Sequence, residues 1–188
     1  MKMIAKTISI VLILAIALMF SACGSDPTPS DAVKADLDKM KSEDSSDQSL
    51  KALDLEEWDL KKDDVNTFLS KIRDFDYEIV EEKVEEDKAT VKVKITTYNF
   101  GKAMGEIFAE ALALAFSNPD ASEEEVSKIF VEKMAGIEKK DYSKKVTVNC
   151  VKKDDKWTTD VDSNEKLEDA VLGGLNSKIE EMNNMWDE

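Results

Sequence analysis

Histidine is absent from this sequence of 188 residues, and with it goes much of the chemistry that works near neutral pH. Without imidazole there is no Ser-His-Asp or Cys-His nucleophile, no histidine general base, and no zinc or iron site built on a histidine ligand. Cysteine is scarce. Cys23 and Cys150 are the only two, too few for an all-thiolate zinc site. Positive charge is also short: 26 Lys and Arg face 41 Asp and Glu, for a formal charge of −15. Such a balance repels nucleic-acid phosphates and anionic headgroups, so nucleic acid is not the expected partner. No apolar run is long enough to span a bilayer, which takes about 20 residues.

What is present begins at the N-terminus. Lys2 and Lys6 precede an uncharged, mostly apolar run from Ile8 to Phe20, followed by the small Ser21 and Ala22. This is the layout of a secretory signal covering residues 1–22. The residue at the cut is Cys23. Removing the signal, which holds two lysines and no acid, leaves 166 residues and lowers the charge from −15 to −17. A chain of that length can bury roughly 70% of its unfolded surface and needs no disulfide staple.

Residues 23–30, Cys-Gly-Ser-Asp-Pro-Thr-Pro-Ser, hold two of the three prolines and read as a flexible tether. One domain, residues 31–188, is expected to follow. Ser30 is the expected cap of a first helix, with Val33, Leu37 and Met40 as its apolar stripe. Leu50, Leu53, Leu55, Trp58 and Leu60 form a second apolar cluster, expected as short helical turns. A further helix has Asp63 and Asp64 in its first turn and Val65, Phe68, Leu69 and Ile72 on its buried side. From Phe75 the period changes to two. Tyr77, Ile79, Val80 and Val84 lead into an acidic turn at Glu85-Glu86-Asp87. Val91, Val93, Ile95 and Thr97 then alternate with Thr90, Lys92, Lys94 and Thr96, which predicts a β-hairpin with one wet face.

A pair of helices interrupts the strands. Residues 100–117 are rich in Ala, Leu and Phe, Asn118-Pro119-Asp120 stops them, and Ser122 with Glu125 makes a capping box for the next helix. A second hairpin starts near Tyr142, with Val146, Val148 and Cys150 on one face, Lys145, Thr147 and Asn149 on the other, and a turn at Asp154-Asp155. The last segment, from Asn164, carries Leu167, Val171, Leu175, Ile179 and Met182 at helical spacing. Gly173-Gly174 predicts a break in its middle. The fold class is therefore α+β: an antiparallel sheet of about four strands on helices, with a helical pair inserted between two hairpins.

Phe20-Ser21-Ala22-Cys23 resembles the lipobox of bacterial lipoproteins, with Phe20 where leucine is usual. That resemblance implies diacylglycerol on the Cys23 thiol and a membrane-anchored, extracytoplasmic location; two acyl chains suffice for stable anchoring. Together with the tether, the hairpin Glu86 to Ile95, the Lys153-Asp154-Asp155-Lys156-Trp157 turn and Leu172-Gly173-Gly174-Leu175, the chain resembles small Gram-positive lipoproteins of unknown function. Their cystatin-like or nuclear-transport-factor-like fold implies a curved sheet wrapped on helices. No catalytic residues and no cofactor are implied.

The remaining constellations have plain readings. Asp160, Asp162 and Asn164 stand at calcium-loop spacing, but Glu165 and Val171 replace the required Gly and Glu, so a helix start is expected instead of a metal site. Cys150 alternates with valines and reads as a buried small hydrophobe. Gly101 and Gly105 allow close helix approach, within the chain or in a dimer. Glu106 and Glu110 share a helical face with Lys102, as an exposed charge stripe does. Trp58, Trp157 and Trp186 are the aromatic candidates for recognition, Trp157 opening a strand at the mouth between sheet and helices. Tyr98 and Trp157 are the candidate ligand contacts. The expected function is a non-catalytic lipoprotein that binds a surface protein or a small ligand. The alternative is a small enzyme using Tyr98, Tyr142 or a buried Asp as acid or base. A two-lobed solute-binding protein needs more residues than these.

Overall fold

A computed structural model describes residues 27–42 and 62–185. The expected apolar cluster from Leu50 to Leu60, the lipobox with Cys23, and Trp58 and Trp186 lie outside the described residues.

The first helix, α1 (Pro29–Lys41), starts earlier than its sequence suggests. Thr28 is the cap in place of Ser30: its hydroxyl accepts from the Asp31 amide and the Asp31 carboxylate accepts from the Thr28 amide, each at 3.1 Å. Proline is the reason, because Pro29 has no amide proton to lose and its fixed φ suits the first helical position. Ser30 sits in the first turn, where its amide (2.8 Å) and hydroxyl both donate to Glu82. Val33 and Leu37 are fully buried. In α2 (Lys62–Arg73), Asp63 and Asp64 occupy the first turn, and Phe68, Leu69 and Ile72 are buried.

The hairpin of β1 (Asp76–Glu85) and β2 (Lys88–Thr97) turns at Glu86-Asp87, where Glu86 takes a φ of 54°. A bulge between Ile79 and Glu81 leaves Val80 outside the ladder. Val80 is therefore 42% exposed, while Val84, on the inward register opposite Ala89, is 51% exposed at the end of the hairpin. The bulge puts Glu82 in the register position facing Val91, and Val84 falls near the hairpin end.

The inserted pair, α3 (Phe100–Ser117) and α4 (Glu123–Ala135), carries the caps expected, Asn99 and the Ser122/Glu125 box. The chain then returns as β3 (Tyr142–Lys153) and β4 (Lys156–Thr159). Strand order is β1-β2-β3-β4, all antiparallel, so β3 pairs with β2 across the helical insertion, from Lys88↔Val151 to Thr97↔Tyr142. The fold is α+β with an open four-stranded sheet, as its sequence predicts.

After a 3₁₀ turn (Val161–Ser163), Asn164 caps α5 (Glu165–Val171), and α6 (Leu175–Asn184) follows. Between them Gly173 and Gly174 have φ of +57° and +78°. A Cβ on Gly173 would lie 1.9 Å from the Tyr98 carbonyl oxygen, so only glycine fits the crossing.

The core lies on one face of the sheet. Ala89, Val91, Val93, Ile95, Val146, Val148 and Cys150 point inward, and α1 and α5 cover them with Val33, Leu37, Leu167 and Ala170. The other helices pack on one another, with Phe68 edge-on to Phe100 at 5.3 Å and to Phe130 at 6.2 Å. Each large side chain so buried contributes roughly 1.5–3 kcal/mol.

Candidate functional site

Period-two alternation gives the sheet two unlike faces. The outward residues of β2 are Lys88, Thr90, Lys92, Lys94 and Thr96; those of β3 are Ser143, Lys145, Thr147, Asn149, Val151 and Lys153; those of β4 are Lys156 and Thr158. Six are lysines and none is acidic, in a chain whose formal charge is −15. Register sharpens this: Lys94 stands directly opposite Lys145, and Lys153 opposite Lys156. Like charges facing each other across strands are unfavourable. Among the described residues only Lys92 of the six forms an ion pair, 2.6 Å from Glu81 of β1. That pair and Lys83, 3.0 Å away, draw the Glu81 carboxyl down to about 2. β1 borders the strip with Glu78, Glu81 and Glu85, Glu78 facing Lys94 from the far side.

At the other border β4 ends after four residues, so no described strand pairs with Tyr142–Asn149 of β3 on that side. The 3₁₀ turn is tied there instead. Asp160 accepts from the Asn149 amide (2.9 Å) and side chain (2.6 Å), and the Asn164 side chain donates to the Thr147 carbonyl at 3.0 Å. Both Asp160 oxygens are thereby committed to amide donors. Beyond this clamp lies an open concavity of about 550 Å³, lined by Lys144, Lys145, Thr147, Ser163, Asn164 and Lys166 among others. Lys144 is anchored at 2.9 Å to Asp169; Lys145 and Lys166 make no ion pair among the described residues.

The two expected ligand contacts do not meet. Tyr98 follows the end of β2, whereas Trp157 pairs with Lys152 near the hairpin turns, about 30 Å away along the strands. Trp157 is half-buried against the core. The Tyr98 hydroxyl donates to Asp74 at 2.9 Å, and the Lys140 ammonium bridges Asp74 (2.7 Å) and Asp76 (3.1 Å). The hydrogen bond to Asp74 pushes the Tyr98 phenol upward, and the Lys140 contact draws the Asp74 carboxyl downward. Lys71 and Lys140 lie over the Tyr98 ring at 5.6 and 5.9 Å. Burial likewise raises the Tyr142 phenol. Sequence reasoning missed this cluster because Asp74 and Lys140 stand far apart in the chain.

Between the sheet and its covering helices the described residues pack as the core, and an apolar gap of about 10 Å³ lies between α2 and α4. Asp169 is the buried carboxylate among the described residues. Burial pushes it up, but the Lys144 ammonium, the Ser177 amide (2.9 Å) and the Ser177 hydroxyl (2.8 Å) outweigh that and leave it below its ordinary value.

No protein-family model matches the chain, and no curated protein matches it. Among solved structures, a Bacillus subtilis protein described as a lipoprotein, YcdA, is similar at 16% identity and a TM-score of 0.39, over 87% of this chain and 54% of that one. The chain thus spans about half the length of that protein.

Proposed function

We propose that this chain is an exported lipoprotein, held at the extracytoplasmic face of a membrane by lipid on Cys23, whose α+β domain is a non-catalytic binding module. The resemblance to small Gram-positive lipoproteins with a cystatin-like or nuclear-transport-factor-like fold belongs to this reading. The observation that carries the binding role is the contrast between the two sides of the sheet: the inner side carries the core, and the outer side is a polar surface that no helix covers among the described residues. The alternative residues are held by partners within the fold, Tyr98 by Asp74 and Asp169 by Lys144 and Ser177, which supports a structural role for them and the non-catalytic reading.

The anchor is supported by the lipobox and by how near Cys23 stands to the first helix in sequence. Thr28 caps α1 five residues after Cys23, a reach of at most about 18 Å, so the domain would stand close to the bilayer. Among the described residues no helix is long and apolar enough to cross a membrane. The test is Cys23→Ala expressed in a lipoprotein-processing bacterium. Loss of the acyl mass at the mature N-terminus and release from the membrane fraction are expected. Retention on the membrane to the wild-type extent would overturn the anchor.

A further inference from the structure

We infer that the outward face of β2, β3 and β4, with the concavity at its β3 edge, binds a linear polyanion whose charges are phosphates. This rests on the binding-module reading above and names the ligand class. Lys88, Lys94, Lys145, Lys153 and Lys156 stand on this face without an ion pair among the described residues, and register sets two of these pairs directly opposite each other. Register gives Lys88 and Lys94 an acid across β1, Glu85 and Glu78, but sets none opposite Lys145, Lys153 or Lys156, and an anionic ligand removes the repulsion within the Lys94–Lys145 and Lys153–Lys156 pairs. Between the lysines stand Val151 and short polar side chains, of which the Thr90 and Thr147 hydroxyls have no hydrogen bond among the described residues, and such hydroxyls bond phosphate oxygens beside lysine point charges.

Shape decides between a polymer and a broad surface. Three strands make a strip about 10 Å wide, and the ten-residue pairing of β2 with β3 makes it about 30 Å long. On one long border stand Glu78, Glu81 and Glu85 of β1, which repel a flat anionic surface such as a bilayer. On the other, the concavity of about 550 Å³ is lined by Lys144, Lys145 and Lys166 and also by Asp160, whose oxygens are held by Asn149, and Glu165. A flexible polyanion can follow the strip between β1 and this border, where a flat surface meets the acids of both.

The experiment measures binding of fluorescent inorganic polyphosphate to the full chain in nonionic detergent by anisotropy. With about five lysines engaged, affinity should fall roughly 100-fold between about 50 and about 200 mM salt. The triple variant Lys94→Gln, Lys145→Gln, Lys156→Gln should weaken binding by about tenfold or more, whereas Lys102→Gln, Lys128→Gln, Lys139→Gln, of equal charge change on the helical side, should leave it within about twofold. The inference is overturned if polyphosphate does not bind, or if both triple variants weaken it equally. It is also overturned if polyglutamate of matched length binds as tightly, or if vesicles of anionic phospholipid displace polyphosphate in proportion to their charge. Failure here would leave the Cys23 anchor standing, since that is read by acyl mass and fractionation.

Discussion

The amide of Gly101 donates to the carbonyl of Gly173 at 3.0 Å, tying the start of α3 to the break between α5 and α6. Gly101 and Gly105 share the spacing that lets helices approach closely, yet only Gly101 is in tight backbone contact. A Cβ there would lie 2.5 Å from the Gly174 carbonyl oxygen; at Gly105 it would lie 3.1 Å from the Lys178 side chain, which can swing away. Gly101→Ala should destabilise by about 1–3 kcal/mol. Gly105→Ala should be neutral, or stabilising by up to about 1 kcal/mol through helix propensity. Urea unfolding of both variants measures this, and equal effects would remove the close-approach account.

Thr97 is fully buried beside Tyr142, and its hydroxyl finds no partner among the described residues. Desolvating a hydroxyl without a hydrogen bond costs about 1–3 kcal/mol, and valine has the same shape without that cost. Thr97→Val should raise stability by about 1 kcal/mol. A lower melting temperature would mean that the hydroxyl does have a partner in solution.

Lys71 of α2 closes the end of α4, its ammonium 2.6 Å from the Ala135 carbonyl, 2.7 Å from that of Ile137 and 3.4 Å from that of Met134. Cations belong at helix C-termini, where carbonyls lack partners. Lys71→Met keeps the stem and removes the donors, and should cost about 1–3 kcal/mol. Hydrogen exchange should also quicken in the last turn of α4 before it does in the sheet. Unchanged protection there would show that the carbonyls are satisfied without Lys71.

Asp169 sets an acid dependence. Its carboxyl is held below the ordinary 3.8, so the unfolded chain takes up the proton first. The stabilisation is complete above about pH 5 and is lost as pH falls past 3.8 toward the folded value. Asp169→Asn should cost about 1–3 kcal/mol at neutral pH and flatten the loss of stability between about pH 5 and about pH 2. Chemical unfolding across that range is the measurement, and parallel curves for the two proteins would refute the assignment.

Cys150 is buried on the inward face of β3, and burial pushes its thiol up to about 11. At about pH 8 the native protein should react with a disulfide reagent only as fast as it opens, and in denaturant at once. Rapid labelling of the native state would mean that the sheet opens locally at Cys150.

Much of this architecture was legible because it is local. The strand alternation from Lys88 to Thr97 and from Ser143 to Lys153, the Ser122/Glu125 box and the Gly173-Gly174 break are each encoded within a few residues, through periodicity, caps and backbone freedom. Where two local signals competed the reading slipped: Ser30 and Thr28 can both cap, and Pro29 chose Thr28. Val80 and Val84 lead to the turn in a single apolar run, but the bulge at Ile79 leaves Val80 outside the ladder and sets Val84 opposite Ala89.

The tertiary structure decided what depends on distant pairs. No spacing in the chain says that β3 returns beside β2 after two helices, and only that register sets Lys94 against Lys145. The same holds for Tyr98 on Asp74 and for Asp160 holding Asn149 at the end of a shortened sheet edge. The sequence by itself determined which residues of β2 and β3 point to water and which to the core, because side-chain periodicity and hydrophobicity are properties of neighbours along the chain. It could not determine which lysines become neighbours in space, because strand pairing is chosen by the packing of the whole core.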